Sequence, residues 1–396
     1  MGSPGLQRQP HRSSVTIGGR VPLRTVVRSW GRLGCTGFGG PPAHLALLKT
    51  LCVSEHSWLD AEEFDHAVAT TALLPGPAST QMAIYCAWRV AGPAGAILGG
   101  LAFIIPGLIA IIIAASVILT ATPPHWLLGA ADGAGAVVGA IALRTGVDLL
   151  RPALGRQRTT LTPRHRTVLY AVLGGLATLT LGPFLVLVLC GCGCLEVLRR
   201  STQRGPASWL TAAPALATLA ALPALVVTAF TIGALSFGGG FVIIPLMRSA
   251  AISHHWLTGP QFLDAVALGQ LTPGPVVQTI AVVGYGASGV VGALVAATIA
   301  FAPSFAFIVF GGPRFETLRS HPTAAGFLGG AAPAAMGAIV ASAVILAGEM
   351  QHLWQVDCFA VLGLVWMVGL RRSPLSGLVA AAIVGGVLGT VTHLPL

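Results

Sequence analysis

The chain has 396 residues, 54% of them hydrophobic and 9% charged, with 22 Lys and Arg against 12 Asp and Glu and a net charge of +10. A soluble protein carries about 25% charged residues, so this chain has too few to cover a water-facing surface. Lys49 is the only lysine, and no basic stretch is interleaved with aromatics, which excludes a nucleic-acid-binding protein.

Residues 1–20 are polar, with Arg8, Arg12 and Arg20. They lack an apolar core and a small-residue cleavage site, and read as a disordered basic tail, not a signal peptide. From about Thr25 onward, apolar runs of spanning length recur, which predicts an all-α polytopic membrane protein. In the first half these are roughly 24–53, broken at Gly39–Pro42; 61–90, broken at Pro75–Pro77; 95–119; 125–149; 167–180; and 184–198. An extra apolar piece, about 208–222, follows. In the second half they are roughly 224–250, 261–285, 288–311, 325–348, 357–370 and 374–391, about 13 segments in all with 10 as the lower bound. Cys190, Cys192 and Cys194 stand at spacing two, which spreads them around a helix instead of gathering a metal site. Neither a metal nor a cofactor is predicted.

The two halves repeat each other. "GRLGCTGFGGPPAHLALL" (Gly31–Leu48) is echoed by "FTIGALSFGGGFVIIPLM" (Phe230–Met247), with Phe38 and Phe237 199 residues apart. Trp58 and Trp256, Phe64 and Phe262, and Pro75 and Pro273 are each 198 apart; Pro106 and Pro303 are 197 apart. So small a drift marks a tandem duplication. The predicted domains are 21–200 and 223–396, with 201–222 as a linker that carries the extra segment.

Arginine placement predicts orientation. With Arg20, Arg24 and Arg28 in the cytoplasm, thirteen crossings put the acidic Glu55–Asp65 region outside and Arg89 inside. Arg151, Arg156, Arg158, Arg164, Arg166, Arg199, Arg200 and Arg204 also fall inside. The odd segment 208–222 then flips the second half, so that Arg248, Arg314, Arg319, Arg371 and Arg372 are inside and Glu349 and Asp357 outside. Lys49 alone does not fit. The halves are thus expected to be inverted-topology repeats.

"LLPGPASTQ" (Leu73–Gln81) and "LTPGPVVQT" (Leu271–Thr279) place Pro-Gly-Pro inside apolar runs. Proline removes a backbone donor and stops a helix. Non-helical backbone at membrane depth is tolerated only where it is buried in protein or lines a cavity. Paired broken helices in inverted repeats point to a transporter site, because each break exposes a half-helix N-terminus that attracts anions. One such break alone reads equally well as a kink or a turn. The expected anion site comprises Gly39, Gly40, His44, Gly76, Ser79, Thr80, Gln81 and Arg89 from the first half. Gly238, Gly239, Gly240, Gly274, Gln278 and Thr279 come from the second, with Pro41, Pro75, Pro77, Pro273 and Pro275 making the breaks. Hydroxyls and amides at such points donate hydrogen bonds to a small tetrahedral oxyanion.

"TGFGGPPAHLALL", "LLPGPASTQMAIY", "LSFGGGFVIIPLM" and "LTPGPVVQTIAVVGY", in that order, resemble the chromate transporter (CHR) family in its long, two-domain form. The resemblance runs from about Arg28 to the C-terminus. It departs where the family often has Tyr after the second glycine run and this chain has Phe241, and in a short connection between the halves. It implies secondary active export of chromate, and of sulfate as a second substrate, coupled to protons, in the bacterial cell membrane. A homodimer is compatible with it.

Asp132, Asp148 and Asp264 fall within or near apolar segments, where ionisable groups are functional or paired. Asp148 is four residues from Arg144 and three from Arg151, an ion-pair spacing on a helix. Asp132 has no partner nearby in sequence and is the proton-relay candidate. No HExxH, GxSxG or phosphate-binding loop is present, so no enzyme is predicted. An uptake permease for sulfate or a related oxyanion, and an anion channel, remain the alternatives.

Overall fold

A computed structural model of the chain describes residues 20–71, 74, 76–120, 123–155, 163–181, 185–201, 224–236, 241–311, 322–370 and 372–391. The expected segment 208–222, together with Pro75 and Gly238–Gly240, lies outside them. No strand occurs among the described residues.

The first half contains α1 (Leu23–Thr36), α2 (Gly40–Lys49, continued by a π-turn Thr50–Glu55), α3 (Ala61–Thr71) and α4 (Ala78–Ile118). They are followed by α5 (His125–Gly155), α6 (Arg164–Thr180) and α7 (Leu185–Ser201). The second half contains α8 (Ala224–Leu235), α9 (Ile244–Ser253), α10 (Gly259–Leu271), α11 (Thr279–Gly311) and α12 (Pro322–Ala347). It ends with α13 (Leu353–Cys358, continued by a π-helix Phe359–Gly369) and α14 (Pro374–Val391).

The duplication is written in the backbone. α4 is kinked at Gly92 (φ 72°) and α11 at Gly289 (φ 60°). Ser57 and His255 share a positive φ, as do Gly76 and Gly274. His56 stacks on Trp58 at 4.3 Å and His254 on Trp256 at 4.8 Å.

Five helices among the described residues are long and apolar enough to cross a membrane, fewer than the thirteen segments expected. The shortfall has several sources: α6 and α7 have 17 residues each, the glycine breaks leave α1, α2 and α9 short, and the Pro-Gly-Pro breaks divide α3 from α4 and α10 from α11. The Thr71 hydroxyl lies 4.0 Å from the Met82 sulfur next to the first break, and Arg89 is ion-paired with Glu63 at its far end. Glu63 and Arg89 are each 13 residues from Gly76. α3 and the first part of α4 therefore form a hairpin. α1 runs antiparallel beside it: the Val21 N–H donates to Val90 O at 3.2 Å and Trp30 Nε1 donates to Ala83 O at 2.8 Å. The second half does the same, with Gly269 against Thr279 near the tip and Gly286 against Trp256 at the base.

This corrects the charge assignment. Glu63 and Arg89 sit at one depth, not on opposite faces, and so do Arg248 and Glu349, which are ion-paired. Lys49, the misfit, binds Asp65 at 2.7 Å on the same side. The acidic cluster near Glu63 is thus neutralised by local cations at the end of α1 that carries Arg20 and Arg24.

Beyond its kink, α4 crosses antiparallel to α11, with Gly100 beside Phe305 and Ala96 clustered with Ile308. α5 runs antiparallel to α12, Gly146 meeting Val340 and Gly139 meeting Leu346. The last helices are exchanged between halves: α14 packs on α5, and α6 and α7 pack on α12. Gly129 and Gly133 of α5 face Gly385 and Ala381 of α14 so closely that a Cβ on Gly129 would overlap the Gly385 carbonyl. Such small-residue seams let helices approach where no hydrophobic force drives them together. On the outside, Ile97, Leu101, Ile105, Ile109 and Ile113 form an exposed stripe at spacing four along α4, a face suited to lipid.

Candidate functional site

The breaks meet at the centre of the structure. The Gly274 N–H, in the second Pro-Gly-Pro, donates to Gly37 O at 2.8 Å, at the first glycine break. His44 Nε2 donates to the same oxygen at 2.9 Å. A carbonyl only accepts, so the His44 proton is on Nε2. Each Pro-Gly-Pro also abuts the proline-containing crossing helix of the other half. A Cβ on Gly76 would sit 3.1 Å from Ser304 Oγ, next to Pro303; one on Gly107, next to Pro106, would overlap the Pro273 carbonyl. Gln278 Nε2 donates to Ile104 O at 2.9 Å, tying the second break to α4.

Helix N-termini converge here. α2 starts at Gly40 after Gly39 (φ 97°), α4 starts after Pro77, and the turn before α11 starts after Pro275; none has a side-chain cap. The first N–H groups of α4 and of the turn before α11 have no acceptor within the helix, whereas α2 offers only the Gly40 and Ala43 N–H groups, since Pro41 and Pro42 carry none. Gly76 (φ 129°) and Gly274 (φ 102°) take a conformation that side chains resist, which lets each tip reverse the chain in so few residues.

Around the tips lie buried polar atoms without a hydrogen-bond partner among the described residues: His44 Nδ1, Thr80 Oγ1, Gln270 Nε2, Gln278 Oε1 and Ser304 Oγ. Native interiors pair nearly all such groups. Their concentration at one place marks a site that a polar ligand or water completes.

A cavity of about 740 Å³ leads to this place. Its walls include Phe38, Gly39, Gly40, Pro41 and Ala43 of the glycine break, Ala78 at the start of α4, and Gln270 of α10. Arg144, Thr145 and Asp148 of α5, Met336 and Ile339 of α12, and Ser373, Pro374 and Leu378 at the start of α14 complete it. Ser373 and Pro374 are at the helix end next to Arg372, and Ala78 and Gln270 are at the tips, so the cavity runs from the start of α14 to the breaks.

The structure brings together Gly39, Gly40, His44, Gly76, Thr80, Gly274, Gln278 and Thr279. Ser79, Thr80 and Gln81 are buried in the first turn of α4, and Thr279 Oγ1 donates to Val276 O at 2.8 Å. Arg89 is not brought to the break; Glu63 holds it at the hairpin base. Asp132 acquires neighbours remote in sequence: Asp264 and His352 both lie within electrostatic reach of it, and Gln355 Nε2 donates to its main-chain oxygen at 3.5 Å. Gln270, Ser304 and Arg144 did not stand out in the sequence, because nothing in their local surroundings separates them from packed or surface residues.

The chromate transporter family model matches residues 24–196 and again 223–390. The chain belongs to the chromate transporter family. It is a multi-pass membrane protein. It is 29% identical to a chromate transport protein of Cupriavidus metallidurans over 88% of each chain. It is 28% identical to a probable chromate transport protein of Synechococcus elongatus over 92% of this chain and 95% of the other. An uncharacterized transporter of Methanocaldococcus jannaschii is 24% identical over 75% of this chain and 77% of its own. No solved structure matches. In chromate transporter terms, the two matched regions are the two halves whose breaks meet at the cavity floor.

Proposed function

We propose that this chain exports chromate, with sulfate as a second substrate, across a bacterial cell membrane in exchange for protons. The observation that carries this reading is the cavity whose wall holds the N-termini of α2 and α4 and the unpartnered side-chain amide of Gln270. A dianion there meets backbone N–H groups of the first half and the Gln270 amide of the second. Residues 21–200 and 223–396 act as inverted repeats; the antiparallel packing of α4 on α11 and of α5 on α12 supports this. The face onto which the cavity opens also carries Arg20, Arg89, Arg151 and Arg372. By the positive-inside rule it is cytoplasmic. The structure then corresponds to a form open to the cytoplasm, ready to load cytoplasmic anion.

This orientation predicts that single cysteines near Arg158 and Gln351, in a cysteine-free chain, label from opposite sides of the membrane. Labelling from one side would sink the inverted arrangement.

The proton path lies on the other face. Asp132 sits seven residues into α5 from its outer end, and Asp264 is six residues before Gln270 on α10. α10 thus carries both a carboxyl near Asp132 and an amide on the cavity wall. Asp132→Asn should remove the stimulation of chromate export by a pH gradient and leave chromate affinity near that of the parent. Unchanged pH-driven flux in proteoliposomes would make Asp132 structural.

A further inference from the structure

We infer that Arg144 recognises the charge of the anion on its way to the breaks, with Asp148 as an internal competitor for the guanidinium and Gln270 as a second donor. This rests on the reading of the cavity as the anion's route. Arg144 is the one cationic side chain and Asp148 the one anionic side chain among the described residues that line the cavity. Most of the remaining wall is apolar or glycine, which strengthens any charge–charge interaction inside it.

The geometry orients the arginine. Nη1 donates to Met367 O at 2.8 Å and to Arg372 O at 2.6 Å, which ties one side of the guanidinium to the end of the π-helix and the start of α14. Nε lies 3.6 Å from Asp148 Oδ2 across one helical turn, an ion pair without a hydrogen bond. The Asp148 side chain is 58% exposed and that of Arg144 25%, so this contact is loose and costs little to break. The edge of the fork that meets Asp148 is the edge that takes an oxyanion in two parallel hydrogen bonds. A tetrahedral dianion such as chromate or sulfate therefore displaces Asp148 from Arg144.

The position along α5 fits a relay. Asp148 lies one turn nearer the cytoplasmic end than Arg144 and marks the mouth. Gln270 is 8% exposed, lines the same cavity, and has Nε2 unpartnered. It presents an amide donor at the floor, next to the second break. The anion passes from solvent to the Arg144 fork and then to Gln270 and the helix N-termini. A single fixed counter-charge avoids binding the dianion too tightly to release it.

The test is equilibrium binding of chromate to purified, monodisperse protein in detergent, by a calorimetric or equilibrium-dialysis measurement. Arg144→Gln should weaken binding by roughly ten- to a hundredfold, the loss of a charge-assisted pair. Arg144→Lys should recover part of that loss, because it restores the charge without the fork. Asp148→Asn should act in the opposite direction, tightening binding by about two- to fivefold. Asp148 is largely exposed, so that variant tests the proposal even if Arg144→Gln fails to fold. Parental affinity in Arg144→Gln, or unchanged or weaker binding in Asp148→Asn, overturns the inference. Thr80→Val, measured alongside, separates the two ideas. If it weakens binding while Arg144→Gln does not, only the role of Arg144 falls. If neither variant weakens binding, the cavity is not the anion's route.

Discussion

Replacing Pro75 and Pro77 together by alanine is expected to weaken chromate binding by ~100-fold or more, because it removes a helix N-terminus and the donors that follow it from the anion. Without the prolines, α3 has no stop before α4. A helix joining them from Ala61 through Val90 would be about 45 Å long at ~1.5 Å per residue. It would carry Arg89 away from Glu63, its partner across the hairpin. The variant should remain membrane-inserted, since its apolar content is unchanged, but should carry less than a tenth of the parental chromate flux. Flux above a tenth of the parental value would show that the tip is not needed.

Thr80→Val separates binding from folding by sign. Thr80 is fully buried and its hydroxyl has no partner among the described residues. Burying an unpaired hydroxyl is costly, so its replacement by an isosteric methyl should leave the thermal midpoint unchanged or raise it. Chromate affinity should fall by roughly ten- to a hundredfold, the effect of losing a donor to a charged oxygen, about 1.5–3 kcal/mol. Gln278→Leu should lose a similar amount of affinity. It should also lower stability by about 1 kcal/mol, because its amide bonds Ile104 O at 2.9 Å. A Thr80→Val protein that is both less stable and fully competent to bind would mean that the hydroxyl serves the fold.

The helices and their breaks were legible because duplication preserved turn chemistry. Gly76 and Gly274, and Gly92 and Gly289, stand at matching places and take the same left-handed backbone. Hydropathy could not tell a hairpin from a crossing, because it measures apolarity and not depth. Two half-helices of eleven and fourteen residues score like one long span. The equal separation of Glu63 and Arg89 from Gly76 is the local signal that an ion pair closes the hairpin. Arg89 looked like an anion ligand for want of that partner. The neighbours of Asp132 were illegible for a different reason: Asp264 and His352 are brought to it only by the packing of α10 and α13 on α5. Gln270 carried no local mark at all, since an amide six residues after an aspartate in an apolar helix reads as a packed polar residue until the cavity beside it is seen.

The central claim is that this chain carries chromate across the membrane by alternate exposure of one site. Counterflow in proteoliposomes tests it most directly. Vesicles holding the purified protein are loaded with unlabelled chromate and diluted into trace labelled chromate, with and without an imposed pH gradient. The account predicts transient, saturable accumulation of label without a gradient, suppression of that accumulation in the Pro75→Ala/Pro77→Ala protein, and net chromate movement when a pH gradient is imposed. Equilibration of label without overshoot, at a rate that does not saturate, would contradict it and identify the pathway as a channel. So would the absence of any chromate flux above protein-free vesicles.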